Sequence, residues 1–152
     1  MTDATRPTRY AVIPTHNRPT HLESLVRQLG TSCDCVVIVD NASDPPVSVS
    51  NLLTNSSALH KIYIIRDAEQ PPNLSRLWNV GLAWIADAES PSTAWDVAIL
   101  NDDTELPVGW YDYVAGALRS YDVIAASADA YGHIKAPILK RQPDHALVHR
   151  MC

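Results

Sequence analysis

The stretch Val97-Ala-Ile-Leu-Asn-Asp-Asp-Thr104 carries the pattern that decides the fold, because an apolar run ends abruptly in a polar, acidic turn. The same pattern occurs twice earlier in the chain. Tyr10-Ala-Val-Ile13 runs into Pro14-Thr-His-Asn-Arg18, and Val36-Val-Ile-Val39 runs into Asp40-Asn-Ala-Ser43. Short β-branched runs without polar alternation are typical of strands that are buried on both faces of a sheet. Each run is therefore predicted to be a strand of a mainly parallel sheet.

Helix-like stretches lie between these runs. Apolar residues recur at helical spacing from Leu22 to Leu29, and Thr20 with Glu23 has the spacing of a capping box. The other predicted elements are a strand at 62–65, helices at 73–88 and about 108–120, and a strand at 123–126. Alternation of strand and helix predicts an α/β fold with three layers, α/β/α, around an open, mostly parallel twisted sheet.

Composition limits the classes of protein to consider. The 152 residues, 46% of them hydrophobic, are enough for one domain with its own core, so we expect a single domain over residues 1–152. A net charge of −5 without a Lys/Arg run argues against a nucleic-acid surface. No run approaches the roughly 20 apolar residues of a membrane helix, and the polar first ten residues lack a signal core. We expect a cytoplasmic protein without an integral membrane segment. Its exposed apolar stretches are compatible with either a monomer or a homodimer.

The acidic turn, Asn101 to Asp103, is the first candidate site. Two adjacent carboxylates repel each other, and a hard divalent cation removes that repulsion. Mg²⁺ and Mn²⁺ bind through one or two carboxylates together with phosphate oxygens of a substrate. The alternative is a solvated turn in which Asp102 or Asp103 caps the following helix, and these residues alone leave both interpretations open.

Two further loops belong with the acidic turn if the strands are parallel. The first-strand loop, Pro14 to Arg18, and the second-strand loop, Asp40 to Ser43, would then reach the same edge of the sheet. The Asp40 carboxylate is suited to accept a hydrogen bond from a pyrimidine ring N–H, with Thr15 and Asn17 beside the base. The alternative is that both loops are ordinary turns whose Asn, Asp and Pro serve the backbone.

A fourth segment, Asn73-Leu-Ser-Arg-Leu-Trp-Asn79, opens a predicted helix. Asn73 is suited to cap it, while Arg76 and Asn79 lie three residues apart on one face. Arg76 has the chemistry to meet a diphosphate, and Asn79 to hold a ribose or a loop carbonyl. The alternative is that Arg76 is a surface cation on an amphipathic helix.

Together these four segments resemble the family 2 glycosyltransferases with the A-type fold, in the family's order, over about residues 10–126. The resemblance implies a nucleotide-diphosphate sugar donor, UDP- or dTDP-linked, and a divalent cation, Mn²⁺ or Mg²⁺. It implies nucleotide-sugar contacts from Pro14, Thr15, Asn17, Arg18, Asp40, Asn41, Arg76, Asn79, Asn101 and Asp102. It also implies that Asp103 is a metal ligand, with His149 as a further candidate.

The resemblance stops before the catalytic base. Inverting members of the family carry a carboxylate base, after a glycine-rich acceptor segment, downstream of the metal motif. The chain ends at Cys152 without either feature, so we expect a short or truncated form. The remaining candidates for the base are Asp129, Asp144 and His145. The function expected is metal-dependent transfer of a sugar to an acceptor hydroxyl. The alternative is a minimal nucleotide-sugar-binding module that needs a partner chain. A nucleotidyltransferase ranks last, since the first-strand loop contains no glycine.

Overall fold

The computed structural model describes residues 6–53, 61–120, 123–128 and 134–140. The chain divides into two compact units, Met1–Val108 and Gly109–Cys152. The first unit contains β1 (Thr8–Thr15), α1 (Pro19–Leu29), β2 (Cys35–Asn41), α2 (Val49–Leu53), β3 (Lys61–Asp67), α3 (Leu74–Ala88) and β4 (Trp95–Ile99). The second contains α4 (Trp110–Leu118), β5 (Val123–Ala128) and β6 (Ile134–Lys140). The expectation of a single domain stays a prediction.

The first unit is built on an open sheet of four parallel strands in the order β3-β2-β1-β4. Val12, in the middle of β1, pairs with Val37 of β2 on one side and with Ile99 of β4 on the other. From β1 the chain winds outward through β2 to β3, and it then crosses back to place β4 on the opposite side of β1. The predicted α/β fold with an open parallel sheet is confirmed, and its winding is Rossmann-like.

Both faces of the two central strands are buried. On one face, α3 packs its apolar side against alternate residues of β1 and β2. This core comprises Tyr10, Val12, Cys35, Val37, Val39, Leu77 and Ile85. On the other face, Ala11, Ile13, Val36 and Ile38 are fully buried as well. Right-handed crossovers put α1, with its four buried side chains, on this second face.

The two long helices of this unit begin differently. Asn73 caps α3 as predicted, because its side chain accepts a hydrogen bond from the Arg76 backbone N–H at 3.0 Å. The capping box predicted at Thr20 is wrong. The helix α1 begins at Pro19, whose fixed φ angle suits the first helical position, and Arg18 occupies the cap position without a side-chain hydrogen bond. Glu23 instead pairs with Arg27 one turn later, at 2.8 Å.

The second unit contains α4 and an antiparallel pair of strands. Gly109 precedes α4 with a φ of 75°, a backbone conformation that favours glycine. The strand β5 lies where the sequence predicted one, and it pairs with β6, which the sequence did not predict. Within the described ranges, every helix is too short or too polar to span a bilayer.

Candidate functional site

A cleft opens beyond the carboxyl ends of β1 and β4, at the point where the winding of the sheet reverses. Ligands of open α/β sheets bind at such a point, because the loops that follow the two strands diverge there. The cleft has a volume of about 230 Å³. Its lining comprises Pro14, Arg18, Leu74, Asn101, Asp102 and Asp103. This switch-point cleft brings together the first-strand loop, the start of α3 and the acidic turn, and five of its six residues were predicted site residues.

The acidic turn is fastened to the end of β1. Thr15 donates its hydroxyl to Asp102 Oδ2 at 2.8 Å, and both residues are buried, with 4% and 7% of their surfaces exposed. Leu100 continues the strand pairing, since its backbone N–H donates to the Val12 carbonyl at 3.0 Å. The turn then closes with a hydrogen bond from the Thr104 N–H to the Asn101 carbonyl. The carboxylate of Asp102 is therefore held in one place, whereas Asp103 reaches solvent.

Arg18 lies between the two carboxylates. Its Nη1 is 3.4 Å from Asp102 Oδ1 and 3.1 Å from Asp103 Oδ2. No group of three potential metal ligands occurs among the residues that the structure describes. Two carboxylates on one side of a cleft still fit Mg²⁺ or Mn²⁺, because these ions take most of their oxygens from substrate phosphates and water. The donor set thus suits a cation that binds together with a diphosphate.

Asn17 connects the first-strand loop to the second-strand loop. Its backbone N–H donates to Ser43 Oγ at 3.0 Å, and its side-chain oxygen accepts from the Asp44 N–H at 2.7 Å. A φ of 53° makes this possible, since Asn tolerates the left-handed region better than most residues. His16 reinforces the junction by donating from Nδ1 to the Asn41 carbonyl. These hydrogen bonds of Asn17 therefore hold the first-strand loop against the second-strand loop.

Asp40 is turned toward its own loop. It is 1% exposed, and its carboxylate accepts backbone N–H groups from Ser43 at 3.1 Å and Val47 at 3.0 Å. The guanidinium of Arg66 also pairs with it. Burial raises the pKa of Asp40, but the hydrogen bonds from Ser43 and Val47 outweigh it and the pKa falls below its ordinary value. A base contact from Asp40 stays a prediction, and it requires this loop to open.

Arg76 engages Asp67 in a bidentate ion pair. Its Nη1 and Nη2 lie 2.5 and 2.7 Å from the two carboxylate oxygens, and Glu69 adds a longer contact at 3.2 Å. These hydrogen bonds lower the pKa of Asp67 to about 2. Asn41 joins the same network by donating to the Asp67 carbonyl at 3.1 Å. Arg76 is thus paired with Asp67 and is not a lining residue of the switch-point cleft, so its contact with a diphosphate stays a prediction.

Two residues were not predicted: Leu74, which lines the cleft, and Asp67, which pairs with Arg76. Asp67 is the last residue of β3 and is in register with Asn41 of β2, so a search for acidic residues at the carboxyl ends of the strands would have selected it. Asn79, by contrast, was predicted as a contact but is exposed, and it is absent from the cleft lining among the described residues. It lies on the side of α3 away from Leu77 and Gly81, which face the sheet. It lies one turn after Arg76 on α3, and its contact with a ribose or a loop carbonyl stays a prediction.

The candidates for the base and for a second metal ligand lie outside the described residues. These are Asp129, Asp144, His145 and His149. The cysteines that the structure describes, Cys33 and Cys35, are buried close to the amino end of β2. They take no part in the switch-point cleft.

Comparison with known proteins adds no family to this description. No protein-family model matches the chain, and no curated protein matches it either. The resemblance to family 2 glycosyltransferases is therefore carried by the four motifs and remains a proposal.

Proposed function

We propose that this chain is a metal-dependent glycosyltransferase that binds a UDP- or dTDP-linked sugar at the switch-point cleft and transfers the sugar to an acceptor hydroxyl. One observation carries the proposal. The first-strand loop and the acidic turn meet at the reversal of the sheet, joined by the 2.8 Å hydrogen bond between Thr15 and Asp102. A carboxylate pair and a guanidinium in one cleft are suited to a diphosphate with its counter-cation.

The size of the cleft favours the diphosphate as its occupant. Pockets that enclose whole drug-sized ligands have volumes of about 300–1,000 Å³. The switch-point cleft, at about 230 Å³, is smaller than this range. We therefore assign the diphosphate and the cation to the cleft, with the nucleoside and the sugar extending over the adjoining loops.

The proposed reaction is a substitution at the anomeric carbon of the sugar. The bond from that carbon to the diphosphate oxygen breaks, a bond to the acceptor oxygen forms, and the acceptor proton passes to a base. Negative charge builds on the leaving diphosphate. Asp103 would hold a divalent cation, which would supply electrostatic stabilisation of that charge. Asp102, fixed by Thr15, keeps the turn in position, and Arg18 adds the second positive charge of the cleft.

The test is the release of UDP from UDP-sugars, measured with Mn²⁺ or with EDTA, in the presence and absence of candidate acceptors. Asp103→Asn removes the expected ligand, whereas Glu105→Gln removes one exposed carboxylate two residues away and serves as the matched control. We expect Mn²⁺-dependent release that Asp103→Asn abolishes and Glu105→Gln retains.

The dependence on acceptor separates the transferase from the nucleotide-sugar-binding module. Release that rises with an acceptor supports transfer. Binding of the donor without acceptor-dependent release identifies the binding module. If no UDP- or dTDP-sugar binds in the presence of Mn²⁺, the proposed function is wrong.

A further inference from the structure

Arg18 lies between Asp102 and Asp103, and Asp103 is the carboxylate to which the proposed function gives a divalent cation. Its Nη1 approaches one oxygen of each carboxylate, at 3.4 and 3.1 Å. A guanidinium stays protonated at every pH at which proteins are folded. One permanent positive charge therefore offsets part of the charge of two adjacent carboxylates.

The backbone of Arg18 is fixed, whereas its side chain is held weakly. Its carbonyl accepts the Leu22 N–H at 3.1 Å as the first hydrogen bond of α1. The side chain is 52% exposed and uses only Nη1 in the contacts described for it. The exposed pair with Asp103 shifts an equilibrium by at most about fivefold, and the contact with Asp102 is long, at 3.4 Å. The guanidinium can therefore leave at little cost, while Asp102 is buried and held by Thr15.

We propose that Arg18 exchanges partners during donor binding: the divalent cation takes Asp102 and Asp103, and the released guanidinium pairs with the diphosphate. This inference rests on the proposed function. The side chain already lines the switch-point cleft, so a change of side-chain rotamer is enough to redirect it. Arginine suits the second partner, because its planar fork can donate two parallel hydrogen bonds to phosphate oxygens.

The exchange predicts positive cooperativity: the bound cation raises the affinity for the nucleotide diphosphate, and the bound nucleotide diphosphate raises the affinity for the cation. A cation that arrives alone must displace Arg18, which then has no partner. A diphosphate that arrives alone must draw Arg18 away from two carboxylates, which then repel each other. When both bind, the diphosphate pairs with the displaced Arg18 and the cation neutralises the two carboxylates, so neither unfavourable state arises. Coupling of this kind is reciprocal, and it commonly amounts to about 5- to 150-fold in affinity.

The experiment measures the affinity for Mn²⁺ alone, for UDP alone, and for each in the presence of the other, by calorimetry on the full chain. Arg18→Gln removes the guanidinium that is proposed to exchange partners. Arg27→Gln is the matched control, since Arg27 is 54% exposed on α1, the helix that follows Arg18, and pairs only with Glu23 in the described ion pairs. Circular dichroism of each variant confirms that it is folded.

We expect Arg18→Gln to bind Mn²⁺ alone about two- to fivefold more tightly, because no ion pair has to be broken. We also expect it to bind UDP with Mn²⁺ at least about fivefold more weakly, so that the coupling factor falls. Arg27→Gln should match the wild type throughout. An effect of charge through space would instead strengthen Mn²⁺ binding equally with and without UDP, and that result overturns the exchange.

The outcomes for the two proposals are distinguishable. If the wild type binds UDP in a Mn²⁺-dependent way and Arg18→Gln leaves the coupling factor unchanged, the exchange is wrong and the proposed function stands. If the wild type binds no UDP, the proposed function fails, and with it the exchange. Unchanged affinity of Arg18→Gln for Mn²⁺ alone also overturns the exchange, whatever the result with UDP.

Discussion

Replacing Gly81 by Ala would place a methyl group between α3 and β1, where there is no space for it. The new Cβ would lie 2.4 Å from Cγ1 of Val12 and 3.3 Å from Cγ2. Carbon atoms in good contact are about 3.5–4.0 Å apart. Val12 is fully buried in an interior strand, and its β-branched side chain has few alternative rotamers. Either α3 or β1 must therefore move.

The expected change in the free energy of unfolding is the balance of two opposing effects. Alanine is favoured over glycine inside a helix by about 1 kcal/mol. Extra methylene groups in a packed core cost about 1–3 kcal/mol, and an overlap of this size belongs in the upper half of that range. We therefore expect Gly81→Ala to lower the free energy of unfolding by about 1–2 kcal/mol. For a chain of this length that corresponds to a fall in Tm of about 2–8 °C.

Urea unfolding, followed by tryptophan fluorescence, measures this loss. Gly116→Ala is the matched control, because the nearest atom to its Cβ is Nη2 of Arg119 at an ordinary 3.5 Å. It should be neutral or stabilising by up to about 1 kcal/mol. In a Val12→Ala background the penalty of Gly81→Ala should largely disappear, since the clashing atoms are gone. A Gly81→Ala protein as stable as the wild type, or a penalty that survives Val12→Ala, would refute this account of the helix–sheet contact.

Two further predictions concern the ends of the strands. Thr15→Val keeps the shape but leaves buried Asp102 without its 2.8 Å hydrogen bond, so urea unfolding should show a loss of about 1–3 kcal/mol. Thr20→Val, on the exposed start of α1, should change stability by less than about 0.5 kcal/mol, and equal losses in both variants would count against the Thr15 contact. Asp67→Asn breaks the bidentate pair with Arg76 and should cost about 1–2 kcal/mol at neutral pH. The pKa of Asp67 is lowered from 3.8 to about 2, so its contribution is present above pH 3.8 and is lost as the pH falls through 2. The stability difference between wild type and Asp67→Asn should shrink over that interval, and a constant difference would contradict the assignment.

The fold could be predicted largely from the sequence because its signals are local. The run Tyr10 to Ile13 identified β1, which the structure extends to Thr8–Thr15, and Asn73 identified the start of α3. These signals depend on neighbouring residues alone. The strand β6 escaped prediction, since its partner β5 and not its own pattern determines its pairing. The capping box at Thr20 failed because Pro19, a stronger signal, starts α1 earlier.

The candidate site was predictable in its location but not in its contacts. Parallel strands bring their carboxyl ends to one edge, so the loops after β1 and β4 were expected at the same edge; the contact of Thr15 with Asp102 depends in addition on β4 lying beside β1, which the sequence did not predict. Which cation pairs with which carboxylate depends on how long side chains are directed in three dimensions. For that reason the sequence associated Arg76 with a diphosphate, whereas the structure pairs it with Asp67.

Titration of UDP into the wild-type protein and into Asp103→Asn, each with and without Mn²⁺, tests the central claim most directly. That claim is that the acidic turn holds a cation through which a nucleotide diphosphate binds. We expect Mn²⁺ to raise the affinity of the wild type for UDP by at least about tenfold. The Asp103→Asn protein should bind UDP equally with and without Mn²⁺. Equal affinity of the wild type in both conditions, or full Mn²⁺ dependence in Asp103→Asn, would contradict the claim.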